Sequence, residues 1–266
     1  MGTIDAVPLI FYCFGLSFLI HLVAFIPSYI YKTEKFFDLT GMIAFVSVIS
    51  YALYLKISIV DFIDTESIIL SSLIFMWTIR LGFFLFYRVL KAGEDKRFSK
   101  MKQSFITFLP VWVMSAFWVC FTSAPALAVI TSIIPEKVDY SLIYIGITLW
   151  TFGFLFECIA DFQKTYFKSK SKNKNQFIKK GLWAISRHPN YFGEIILWIG
   201  ISMISFSMLN GWQYLTLFSP VFVYILLTNI SGINLLEKNS DNKWGDLDSY
   251  QKYKKETPEL IPKFWN

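Results

Sequence analysis

Charge is scarce in this 266-residue chain, where Asp, Glu, Lys and Arg together make up only 17%. A soluble domain carries about 25%, and here most of the charge is confined to a few short stretches. Histidine is nearly absent: His21 and His188 are the only imidazoles, which argues against a His-rich metal site. The three cysteines (Cys13, Cys120 and Cys158) lie far apart in apolar runs, and neither a disulfide framework nor a zinc pattern fits them. None of the 13 glycines forms Gly-x-Gly-x-x-Gly, and there is no P-loop and no His-Glu-x-x-His. A nucleotide cofactor must therefore bind between helices and loops, not on a Rossmann fold. What the chain has in excess is apolar surface: 55% hydrophobic and 19% aromatic residues, with a mean hydropathy of +0.50. A soluble enzyme, a secreted disulfide scaffold and a disordered tail are excluded. The composition is that of an all-α, polytopic membrane protein.

Apolar runs of about twenty residues, the length that spans a bilayer, occur seven times, near 7–31, 39–57, 67–90, 104–134, 140–160, 191–209 and 212–236. They predict one membrane domain over 1–266, followed by a tail at 237–266. The fourth run carries Pro110 and Pro125, so a kink or short break is expected there. Asn210-Gly211 separates the last two runs and predicts a tight turn between helices. Loop charge alternates. Residues 32–37 hold two lysines against Glu34, whereas 58–66 hold Asp61, Asp64 and Glu66 with no base. Six basic residues at 88–103 oppose Glu94 and Asp95; 135–139 is net negative; 161–189 has eight basic residues against Asp161. By the positive-inside rule this puts the N-terminus outside or lumenal and the C-terminus on the cytosolic side. The net charge of +6 follows from such loops, so no nucleic-acid partner is expected. The Lys-rich run at 169–176 reads as a solvated loop facing anionic lipid.

Ionisable residues inside apolar helices are costly and mark functional candidates. In the third run, Trp77, Arg80 and Tyr87 fall within roughly one helical face, with Arg88 nearer the inner surface. Glu157 and Asp161 are one turn apart at the inner end of the fifth run, and Glu157 needs a cationic or hydrogen-bonding partner such as Arg80. The densest constellation is Gly181-Leu-Trp-Ala-Ile-Ser-Arg-His-Pro-Asn-Tyr-Phe-Gly-Glu194. Ser186 is placed as a cap and Pro189 as a first-turn proline. Arg187 and His188 would then stand at the positive end of the sixth helix, a favourable place for phosphate. Asn190 and Glu194 share one face.

Those residues resemble the C-terminal signature of the steroid 5-alpha-reductase-like membrane proteins, specifically their DUF1295 branch. Three further stretches agree: Trp77-Thr-Ile-Arg-Leu81 with Arg88 and Gly93-Glu-Asp-Lys-Arg97; Glu157-Cys-Ile-Ala-Asp161-Phe-Gln163; and Tyr250-Gln-Lys-Tyr253 with Thr257 and Ile261-Pro262. The resemblance implies a seven-helix bundle that binds NADPH in a cytosol-facing cavity and reduces an activated carbon–carbon double bond in a lipid or steroid-like substrate. It implies dinucleotide contacts for Arg80 and Arg88 and cofactor contacts for Glu157, Asp161, Asn190, Glu194 and Tyr250. Arg187 and His188 replace small residues of that family, so their phosphate role rests on the helix terminus. Trp77 stands where a catalytic Tyr would be, which leaves Asp38 and Tyr191 as candidate proton donors.

Two other readings stand beside the reductase. Arg-His-Pro-x-Tyr at a helix start, with Glu237, Tyr250 and Tyr253 downstream, is also similar to isoprenylcysteine and phospholipid methyltransferases, which use S-adenosylmethionine. The third reading is a non-enzymatic subunit of a larger membrane complex. Loop charge fits the endoplasmic reticulum, the preferred reading, as well as a bacterial inner or mitochondrial membrane.

Overall fold

The structure is a computed structural model that describes residues 7–134, 138–173, 175–230 and 232–263. Residues 135–137 of the fourth connection and Lys174 of the basic run lie outside the described residues. Every regular element among the described residues is helical: α1 Val7–Ile30, α2 Phe37–Val60, α3 Thr65–Ala92, α4 Phe105–Ile130, α5 Tyr140–Ser169, α6 Pro189–Phe206, α7 Ser219–Ile225, α8 Ile233–Trp244 and α9 Asp248–Glu256. Among the described residues, six stretches are long and apolar enough to cross a membrane: α1 to α5 in whole or large part, and Gly211–Trp244. The predicted sixth crossing is α6, whose 18 residues rise about 27 Å.

Three boundaries differ from the hydropathy reading. Helix α4 runs through Pro110 and Pro125 without interruption, since neighbouring helices in a membrane re-satisfy the groups a proline frees. Helix α5 continues nine residues past the predicted end at Ala160, through a stretch with no Pro or Gly, to Ser169. Just beyond it Asn173 Nδ2 donates to the Phe167 carbonyl (2.9 Å). The seventh run is not one α-helix. It opens as a 3-10 helix, Gly211–Phe218, behind the predicted Asn210-Gly211 turn, where Asn210 and Gln213 form a capping box. After α7 it loosens into a π turn, Leu226–Ile230. It restarts at α8 after Gly232, where a Cβ would overlap the Leu227 carbonyl oxygen.

Contacts group the chain into two compact units: Met1–Asp139 with Ser205–Ser219, and Tyr140–Ile204 with Pro220–Asn266. In the first unit α1 packs on α2 and α4, and α2 on α3. Aromatic packing of Phe25, Phe98, Phe108 and Trp112 fills the base of this unit. A polar seam joins α1 to α4. His21 Nδ1 lies 2.8 Å from the Ser17 carbonyl, which can only accept, so Nδ1 carries the proton and Nε2 accepts from Ser115 Oγ at 2.9 Å. Two buried ions tie helix ends together. Lys56, only 1% exposed, pairs with Asp64 and donates to the Ser132 carbonyl (2.6 Å), while Asp64 caps α3 through the Ser67 N–H (2.8 Å). Glu34, also buried, accepts from the Asp95 N–H (2.8 Å) and from Lys102 Nζ (2.7 Å), which fixes the 93–104 connection beneath α1 and α2.

The second unit is built on an antiparallel α5–α6 pair whose backbones nearly touch. A Cβ on Gly153 would lie 2.5 Å from the Gly193 carbonyl oxygen, and one on Gly146 would lie 2.7 Å from that of Gly200. Glycines seven residues apart on each helix thus form one seam, as close-packed membrane helices require. The α8–α9 segment and the residues after it are tied to the approach to α6. Arg187 N–H donates to the Pro258 carbonyl (2.9 Å), and Lys263 N–H donates to that of Ile185 (2.9 Å).

Candidate functional site

The glycine seam explains why the polar residues of α5 and α6 converge. A Cβ on Gly193 would sit 2.7 Å from the Glu157 backbone nitrogen, so Glu157 on α5 and Glu194 on α6 are carried on adjoining backbone. Both carboxylates are buried, Glu157 at 2% exposure, and so is Asp161 one turn further along α5. Asn190 and Tyr191 are half-buried in the first turn of α6, and the Tyr191 ring stacks on His188 (5.8 Å between centroids).

Pro189 is the first residue of α6, as its missing N–H allows. Ser186, expected as the cap, lies two positions too early. Its hydroxyl accepts the His188 N–H (3.2 Å) and donates to the Leu260 carbonyl (2.8 Å), so it braces the approach to the helix and the C-terminal segment.

Arg187 and His188 stand before the helix and converge on Glu237 of α8. His188 Nε2 is 2.8 Å from Glu237 Oε1, and Arg187 Nε is 3.3 Å from the same oxygen. Arg187 also donates to the Lys254 carbonyl (2.8 Å) and reaches Glu259 (3.3 Å). Lys254 of α9 lies 3.5 Å from Glu237 Oε2 and donates to Asp241 (2.7 Å), which in turn accepts from the Tyr250 hydroxyl (3.1 Å). The hydrogen bond to Asp241 raises the Lys254 ammonium above its usual range, so it stays charged. Burial, with Glu237 and Asp241 nearby, pushes the Tyr250 phenol up to about 12, so it remains a donor. Tyr253 donates to the Trp183 carbonyl (2.6 Å), and burial raises its phenol as well.

The expected phosphate contact changes character in this setting. Burial outweighs Glu237 and holds the His188 imidazole below its ordinary range, so the ring is neutral near pH 7. With Nε2–H facing the carboxylate, Nδ1 presents a bare lone pair. Three atoms of the cluster, His188 Nδ1, Arg187 Nε and Glu237 Oε2, are buried with no hydrogen-bond partner. The Arg187 charge is already opposed by two carboxylates. His188 Nδ1 is therefore an open acceptor that suits a hydroxyl, amide or amine donor better than phosphate.

The remaining predicted residues belong to the first unit. Asp38 is half-buried in the first turn of α2, with Arg97 and Arg88 within electrostatic reach. Arg80 is half-buried and Arg88 exposed on α3, both beside the Phe84 ring. The expected common face of Trp77, Arg80 and Tyr87 grades from buried Trp77 to exposed Tyr87. Glu237 was legible only through the methyltransferase resemblance. Lys254 and Asp241 were not, because a tail with six lysines and six acids shows no partner preference. The seven-residue glycine spacing was the unread signal for the seam.

Helical, membrane-embedded and carrying a buried polar site at the start of a helix, the chain belongs by its sequence to a defined family. Residues 24–257 match the family model described as "Protein of unknown function (DUF1295)", so the chain is a DUF1295 protein. A similar curated protein is the "Probable O-methyltransferase ustE" of Ustilaginoidea virens, 30% identical over 66 residues. That match covers 25% of this chain and 23% of the fungal protein. No solved structure matches.

Proposed function

We propose that the chain is an NADPH-dependent reductase of an activated carbon–carbon double bond in a lipid or steroid-like substrate. The observation that carries the reading is the convergence of Glu157, Asp161, Asn190 and Glu194 on the α5–α6 seam, the positions to which the reductase resemblance assigns cofactor contacts. The unpartnered His188 Nδ1 fits a ribose hydroxyl, the adenine amine or the carboxamide of a dinucleotide. The reductase resemblance assigns further dinucleotide contacts to Arg80 and Arg88. NADPH, when bound, supplies the hydride for one carbon of the double bond. The other carbon takes a proton, for which Asp38 and Tyr191 are the candidate donors, and the membrane spans admit the lipid.

Methyl transfer from S-adenosylmethionine is the second reading. Two specific observations favour it: the similarity to a protein named as a probable O-methyltransferase, and the meeting of His188 with Glu237 beside Tyr250. A purely accessory role, as a subunit of a larger membrane complex, has no such observation behind it.

Thermal unfolding in detergent with NADPH, NADH or S-adenosylmethionine tests these readings. A ligand bound to the folded state at 100 times its Kd adds about 2.7 kcal/mol. The reductase predicts stabilisation by NADPH that is lost in Glu194→Ala and Asn190→Ala, each still folded. Stabilisation by S-adenosylmethionine alone overturns it in favour of methyl transfer. No response to any of the three in folded protein overturns both and points to the accessory role.

A further inference from the structure

At 30 residues, α5 rises about 45 Å, against a hydrocarbon core of about 30 Å. Its apolar part ends at Ala160, so the last turns project past the membrane on the side that loop charge marks as inner. One face of this projection is docked. Gln163 Oε1 accepts the Leu182 N–H (2.9 Å), Trp183 Nε1 donates to the Ala160 carbonyl (3.0 Å), and the Lys164 ammonium lies 4.3 Å from the Trp183 ring centroid. The other face presents Phe162 and Tyr166, 69% and 55% exposed, stacked one turn apart at 6.1 Å.

The basic loop that follows is held rather than loose. Asn173 closes the helix end, Trp244 Nε1 donates to the Asn175 carbonyl (2.8 Å), and Phe177 packs on Trp244, Tyr250 and Tyr253. Lys168, Lys170, Lys172, Lys179 and Lys180 are all exposed on this frame, with the Lys170 ammonium 4.1 Å from the Tyr166 ring centroid. Residues 162–193 contain no Asp or Glu. Five cations without an acid among them, edged by two exposed aromatics next to a membrane span, match a headgroup layer: phosphate outermost, acyl boundary beneath.

We propose that this platform is a binding site for anionic phospholipid of the inner leaflet. The five lysines hold headgroup phosphates, and Phe162 and Tyr166 sit at the boundary between headgroups and acyl chains. The exposed aromatic pair separates this occupant from a soluble phosphate compound, which has no apolar part for Phe162 to meet, and the adjoining membrane span favours lipid over nucleic acid. The assignment is independent of which cofactor the chain uses.

The test is thermal unfolding of the full chain in detergent, titrated with dihexanoylphosphatidylglycerol, dihexanoylphosphatidylcholine or inorganic phosphate. Phosphatidylglycerol should raise the midpoint at concentrations where phosphatidylcholine does not, and the effect should shrink at high salt. Each lysine near an anionic surface contributes about fivefold in affinity. Lys→Gln at all five positions should therefore raise the half-saturating phosphatidylglycerol concentration at least tenfold, while Lys→Arg at the same positions keeps it. An unchanged midpoint in phosphatidylcholine shows that the Gln variant is folded. Equal stabilisation by phosphatidylcholine, an unaltered phosphatidylglycerol response in the folded Gln variant, or the same shift with inorganic phosphate or a short oligonucleotide would each overturn the proposal.

Discussion

Replacing Gly193 with alanine is the sharpest probe of the second unit, because it adds one methyl group to the tightest point of the α5–α6 seam. The new Cβ would meet the Gly153 carbonyl oxygen at 2.6 Å, the Glu157 nitrogen at 2.7 Å and the Glu157 Cα at 3.1 Å. All three are backbone atoms of α5, and no side chain can rotate away to make room. Ordinary contact begins near 3.4 Å, so the helices must part by about 0.8 Å. Overpacking of this kind costs typically 1–3 kcal/mol, and a backbone-on-backbone clash belongs at the upper end, on the order of 5 °C or more in Tm. The displaced atoms are those that carry Glu157 and Glu194, and a shift near 1 Å in a positioned group costs about 100-fold in rate. Gly193→Ala should therefore lower Tm and also weaken whichever cofactor stabilises the wild type. Gly15→Ala and Gly41→Ala serve as controls. Nothing lies within 4 Å of a Cβ at either position, and alanine is the better helix former. Unfolding curves for the three variants decide the matter: a Gly193→Ala protein that melts with the controls and binds cofactor normally would refute the close seam.

Four other outcomes are expected. Lys56→Met strips Asp64 of its buried partner and should cost about 3–5 kcal/mol, much of it recovered in the double variant with Asp64→Leu, as unfolding midpoints would report. Glu34→Ala leaves Lys102 and the Asp95 N–H without their acceptor, and should speed proteolysis in the 93–104 connection measurably in a limited-digestion time course. Burial depresses the folded-state His188 pKa below the ordinary 6.5, so the unfolded chain takes up the proton first. That contribution is complete above pH 6.5 and is lost as pH falls below it, so His188→Gln should flatten the decline in Tm between pH 7 and 5. Glu237→Gln keeps an acceptor for His188 but removes the charge facing Arg187 and Lys254. It should lower Tm by the equivalent of about 1–3 kcal/mol while leaving NADPH stabilisation in place if the reductase reading holds.

Hydropathy located the membrane helices because a bilayer admits only segments that satisfy their own backbone. It failed where a boundary is set by something else. The end of α5 lies nine residues beyond the apolar run, since water tolerates Lys164 and Lys168 on a helix as readily as in a loop. The break at Leu226–Ile230 is a change of hydrogen-bond register, and a window of about twenty residues averages its Thr228 and Asn229 into the apolar run. The site was legible in proportion to how local it is. Arg187 to Glu194 form one segment, and helix-start rules place Pro189 correctly. Glu237, Asp241 and Lys254 complete the cluster from 40 to 70 residues away, and only the fold pairs them.

The polar residues that matter most in this chain are buried ones near helix ends. Lys56 finds Asp64 and a carbonyl, Glu34 finds Lys102, and Arg187 finds Glu237 and Glu259, so these are latches: each joins a helix end to a connection or to the C-terminal segment. His188 Nδ1 is different. It is buried, neutral and without a donor, in a cluster whose other charges are largely balanced. Arg187 Nε and Glu237 Oε2 also lack a hydrogen-bond partner, but each lies within 3.5 Å of an opposite charge, which offsets part of the about 1–3 kcal/mol that an unmet buried group costs. A donor-bearing ligand would add a hydrogen bond at that open acceptor, whereas Arg187, Glu237 and Lys254 hold the C-terminal helices in place.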